Sequence, residues 1–83
     1  MKISELTVGD YFGTELRRLR TNANITQEEL GFLSGLHRTY ISLLERGKRT
    51  PTMDTFFKIC IALGVDPKDV IADIEIQVNQ ELS

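Results

Sequence analysis

Arg38, Thr39, Ser42 and Leu43 lie within six consecutive residues of the run QEELGFLSGLHRTYISLLER, residues 27–46. Side chains on a helix are spaced by about 100°. With Arg38 at zero, Ser42 falls near 40°, Arg46 near 80°, Thr39 near 100° and Leu43 near 140°. Leu44, His37 and Ile41 land at about 240°, 260° and 300°, with Tyr40 near 200° on the boundary. The second group is apolar apart from His37 and must pack inward, which turns the first group outward as one face. That face carries a forked cation, two hydroxyls and an apolar tip. An arginine can fork onto guanine O6 and N7, a threonine can bond a base edge or meet a thymine methyl, and a leucine suits a thymine methyl. Ser42 is small enough to let the helix approach closely. By itself the same set would also suit an ordinary surface helix; the turn before it and the basic loop after it favour the chemistry.

Groups suited to phosphate flank this face. Gln27 opens the preceding helix, where backbone N–H groups and the helix dipole attract anions. Tyr40 can present its hydroxyl from the edge of the face. Arg46, Lys48 and Arg49 close the second helix and its loop, placed for the facing strand. A purely solubilising surface is the alternative for this basic cluster.

The elements that must hold these residues are helices punctuated by Gly and Pro. Residues 1–8 read as an N-terminal arm, 9–73 as one DNA-binding domain and 74–83 as a tail that can serve dimerisation. The first helix is expected to start near Gly9 or Asp10, with Thr7 and Asp10 as a weak capping box. Its apolar stripe is Phe12, Leu16, Leu19 and Ala23, and Asn24 stands where a left-handed residue is wanted. Thr26 and Glu29 form a capping box for the second helix, which turns Leu30 and Leu33 inward and leaves Phe32 at the margin. Gly31 sits where two helices approach and Gly35 where the chain turns. The third helix runs from about His37 to Arg46, and Gly47 stops it. Thr52 caps a fourth, whose stripe is Met53, Phe56, Phe57, Ile59, Cys60 and Leu63, ending at Gly64. Asp66-Pro67 starts a fifth. The tail fits two patterns: Val70, Ile71, Ile74, Val78 and Leu82 make a helical stripe, while Ile74, Ile76 and Val78 alternate with polar residues as a strand would. The dimer surface is expected at Val70, Ile71, Ile74 and Val78, the alternative being a continued core helix.

Eighty-three residues make one small domain with a thin stability margin. The net charge of −2 hides an uneven distribution. Arg17 to Lys58 holds eight basic residues against four acidic, a net +4, and the remainder is net −6. A partner responds to that local field more than to the total. The apolar runs are too short for a transmembrane helix, and no signal-peptide pattern opens the chain. One cysteine, Cys60, excludes an internal disulfide and fits a reducing cytoplasm; within an apolar stripe it reads as a buried hydrophobe. No metal-ligand spacing, acid–base constellation or phosphate-cradling glycine loop is present, and Asp66, Asp69, Asp73 and Glu75 read as a solvated face. Neither enzyme activity nor a cofactor, metal or small-molecule effector is expected.

Together, FGTELRRLR, ITQEEL, SGLHRTYIS, LERGKRTP and IALGVDP resemble the Cro/repressor-type, or XRE-like, helix-turn-helix family over about Phe12 to Ile71. The HRTYIS run is similar to the small controller proteins of restriction–modification systems, which are dimers of about this length. Asn24 and Gly31 depart from the family, where glycine and alanine are common. The resemblance implies an all-α, five-helix repressor-like fold, with Gln27 on phosphate and Arg38, Thr39, Ser42 and Leu43 at base edges. It also implies a structural ion pair between Arg20 and Glu45 that fastens the third helix. The expected function is a sequence-specific transcriptional regulator acting on double-stranded DNA as a homodimer, at a near-palindromic operator. The alternative is a protein-interaction module on the same fold, antitoxin-like or bridging.

Overall fold

The computed structural model describes residues 2–83. After a 3-10 turn at Ile3–Glu5, five helices follow: α1 (Val8–Asn22), α2 (Gln27–Ser34), α3 (Arg38–Glu45), α4 (Met53–Leu63) and α5 (Pro67–Leu82). Helix α1 packs on α3 and α5, α2 packs on α3 and α4, and α5 closes the bundle against α4. No strand occurs among the described residues.

The punctuation follows from side-chain chemistry. The Thr26 hydroxyl accepts from the Glu29 N–H at 3.0 Å while the Glu29 carboxylate accepts from the Thr26 N–H at 3.0 Å, a complete capping box. Thr52 caps α4 through the Thr55 N–H at 3.2 Å. Gly35 and Gly64 end α2 and α4 with φ of 75° and 70°, and Asn24 ends α1 at φ 59°. The start of α1 differs from expectation. It begins at Val8, and the Thr7 hydroxyl donates to the Asp10 carboxylate at 2.9 Å rather than capping a backbone N–H.

The core is Phe12 and Leu16 from α1, Leu30 from α2, Ile41 and Leu44 from α3, Phe56, Ile59 and Cys60 from α4, and Val70 and Ile74 from α5. The Phe12 and Phe56 rings meet edge to face, with centroids 5.7 Å apart. Three expectations about the core fail. Leu33 is 57% exposed, because the eight-residue α2 presents only Leu30, Gly31 and Ser34 to its neighbours. Ala23, Met53 and Phe57 lie at the exposed margins of their stripes. Val70 and Ile74, expected at a dimer surface, are 2% and 8% exposed and belong to the chain's own core. Helix α5 also runs unbroken past residue 74. A strand there would leave its backbone unpaired, whereas a helix satisfies it internally and brings Val70, Ile74 and Val78 to the core.

Candidate nucleic-acid interface

Helix α3 is held from behind. Ile41 and Leu44 are fully buried, and Leu36 and Tyr40 pack partly buried against the core. His37 is the N-cap, its Nδ1 accepting from the Thr39 N–H at 3.0 Å. Gly31 lets the turn close, since a Cβ there would stand 2.5 Å from the Leu36 carbonyl oxygen. The outer face then carries Arg38 and Thr39 exposed, with Ser42 and Leu43 partly exposed. Arg46, Lys48 and Arg49 are exposed at the end of α3 and in its loop, and the Arg46 Nε donates to the Ser42 carbonyl at 3.4 Å.

One buried carboxylate organises the base of this surface. Glu45, with a side chain 3% exposed, accepts from Arg20 Nε at 2.5 Å and Nη2 at 3.1 Å. Arg20 Nη1 donates to the Ile25 carbonyl at 2.8 Å, so one guanidinium ties α1, the α1–α2 loop and α3 together. The hydrogen bond to Glu45 pushes the Arg20 ionisation up. Gln27 joins the same centre, its Nε2 donating to Glu45 at 3.1 Å. That bond uses one of the two amide hydrogens and leaves the other, with the backbone N–H groups of Gln27 and Glu28, as donors there.

Two features lie outside the sequence-based expectations. Arg38 Nη1 donates to Glu28 at 2.6 Å across the turn. Glu15, 3% exposed, receives both Nε and Nη2 of Arg18 at 2.9 Å, and Asp73 of α5 stands 3.5 Å from the same Nη2. The Arg18 hydrogen bond holds the Glu15 carboxyl below its ordinary range, while the hydrogen bond to Glu15 raises that of Asp73. The spacing of Glu15 and Arg18 is a recognisable helical pair; no local signal links Asp73 or Glu28 to their partners. Burial pushes the Cys60 thiol up. Among the described residues no group of three or more His, Cys, Asp or Glu side chains is arranged to hold a metal ion, and no helix is long and apolar enough to cross a membrane.

The sequence matches the family model described as helix-turn-helix over residues 16–70. It is 49% identical over 61 residues to control protein C.BamHI of Bacillus amyloliquefaciens, covering 72% of this chain and 75% of that protein. The crystal structure of the restriction-modification controller protein C.AhdI from Aeromonas hydrophila superposes with a TM-score of 0.73 at 40% identity, covering 75% of this chain and 94% of that one. The clp gene regulator ClgR from Corynebacterium glutamicum superposes with a TM-score of 0.81 at 30% identity, covering 93% of this chain and 86% of that one.

Proposed function

This chain belongs to the helix-turn-helix family of XRE-like DNA-binding transcription regulators, and from that premise we propose that it binds a near-palindromic operator as a homodimer in the cytoplasm. Arg38, Thr39, Ser42 and Leu43 read base edges in the major groove. Gln27, Tyr40, Arg46, Lys48 and Arg49 contact phosphates on either side. The observation that carries this reading is α3 itself: Ile41 and Leu44 are sealed beneath it while Arg38 and Thr39 stand exposed above. Its likeness to restriction-modification controllers makes the promoter of a restriction–modification operon the first target to examine.

A homodimer would set two copies of α3 about 34 Å apart in successive major grooves. With Val70 and Ile74 committed to the core, the surface left for pairing is Ile71, half exposed, together with Val8 and Met53 around an apolar groove floored by Phe12 and Phe56. Val78, half-buried against the core, remains an expected contact.

Selection from a random-sequence duplex pool tests the reading. The wild-type chain should enrich an inverted repeat, and Arg38→Ala should relax preference at one position per half-site by about 1–3 kcal/mol. Enrichment of no sequence defeats it; an unchanged preference in Arg38→Ala removes Arg38 from the base contacts.

A further inference from the structure

We propose that Glu28 is a specificity-determining positioning residue, which holds the Arg38 guanidinium by Nη1 and leaves its other edge free for a base. The inference rests on the reading of Arg38 as a base contact. Arg38 and Glu28 are ten residues apart, one at the first position of α3 and the other in the first turn of α2. Their ion pair is 2.6 Å long, and both side chains are mostly solvated, 64% and 72% exposed. A pair so exposed contributes little to the fold. Its geometric effect is larger. Arginine has a long, rotatable stem, and fixing one Nη leaves less freedom to be lost when the remaining fork meets its target. Among the described residues Glu28 is the one side chain that accepts from Arg38, so Nε and Nη2 keep their donors. That edge presents two parallel N–H groups, the geometry that guanine O6 and N7 accept.

The charge of Glu28 gives the proposal a distinctive sign. It lies beside Gln27 and shares a shallow cleft with Arg20, Thr26, Gln27 and Arg38, where phosphate is expected. A carboxylate there repels the DNA backbone irrespective of sequence. A residue that only tuned charge would therefore weaken binding to every duplex alike. A positioning residue lowers binding to unselected DNA while sharpening the choice at one base pair.

The test compares wild type with Glu28→Gln, Arg38→Ala and the double variant. The probes are a duplex carrying the sequence that the wild type enriches and a scrambled duplex of equal length, both at one fixed salt concentration. In Glu28→Gln, affinity for the scrambled duplex should rise. The ratio of selected to scrambled affinity should fall about tenfold, the range of one weakened bidentate contact. The lost preference should map to the base pair that Arg38→Ala also relaxes. In the Arg38→Ala background, Glu28→Gln should change that ratio no further. A thermal melt of each variant matching the wild type separates positioning from misfolding, and Glu28→Ala serves in place of a Glu28→Gln that melts lower. The proposal is overturned if Glu28→Gln strengthens binding to both duplexes equally, or if its effect on the ratio persists without Arg38. Failure of the wild type to enrich any sequence is a separate result, which removes the base-reading role of α3 and the positioning role with it.

Discussion

Glu45 concentrates three hydrogen bonds on one buried carboxylate, and Arg20 supplies the charge that answers it. Removing one member of such a pair strands the other in a poorly solvated place, which costs more than the pair itself contributes. Arg20→Ala is therefore expected to lower stability by about 3 kcal/mol in a denaturant melt; an unshifted midpoint would show that Glu45 is satisfied without it. Glu15 and Asp73 oppose each other. Glu15, held low by Arg18, contributes stability above the ordinary glutamate range, and that contribution is lost as pH falls through its depressed folded value. Asp73, raised by its hydrogen bond to Glu15, behaves in the reverse sense: its contribution is complete below the ordinary aspartate range and lost as pH rises through the raised value. Asp73→Asn should accordingly melt higher than wild type at about pH 7, with the difference closing by about pH 3, where wild-type Asp73 is protonated. A gap independent of pH would remove Asp73 from this couple. The outward face of α3 was legible from angular spacing alone. Glu28 was not, because its partner is reached across a turn and no periodic rule relates the two.

Helices α1 and α3 touch backbone to backbone at Gly13. A Cβ there would stand 2.5 Å from the Leu44 carbonyl oxygen and 2.7 Å from that of Glu45. Neither oxygen can swing aside as a flexible side chain would, so Gly13→Ala must push the two helices apart. The expected cost is about 1–3 kcal/mol in a thermal melt. A fall in DNA affinity should accompany it, because the displaced segment ends in the Glu45 centre. Wild-type stability in Gly13→Ala would mean the contact is looser than these distances. The caps of α2 and α4 could be read beforehand, since a threonine hydroxyl and the N–H groups it serves lie within three residues of each other. The inward face of α2 could not. Two turns of helix carry too few apolar positions to define a direction, and Leu30, Phe32 and Leu33 look alike until α3 and α4 choose Leu30.

Across the molecule the basic residues gather between Arg17 and Lys58 and the acidic excess lies outside that span. Arg46, Lys48 and Arg49 remain exposed beside α3. Binding should weaken steeply with added salt, and replacing any one of these three by Gln should reduce the log–log slope by about 0.9, one phosphate contact each. Fluorescence anisotropy titrations at several salt concentrations measure it; an unchanged slope would assign that residue to solvent. The five-helix order, the caps of α2 and α4, the left-handed stops and the exposed side of α3 were determined by the sequence itself, because each depends on groups no more than a few residues apart. The partners of Glu28 and Asp73, the helical course of residues 74–82 and the burial of Val70 and Ile74 were decided only in the folded chain. Those outcomes depend on surfaces from different helices meeting, and an apolar residue carries no mark of whether it will face its own core or another molecule until that core has closed.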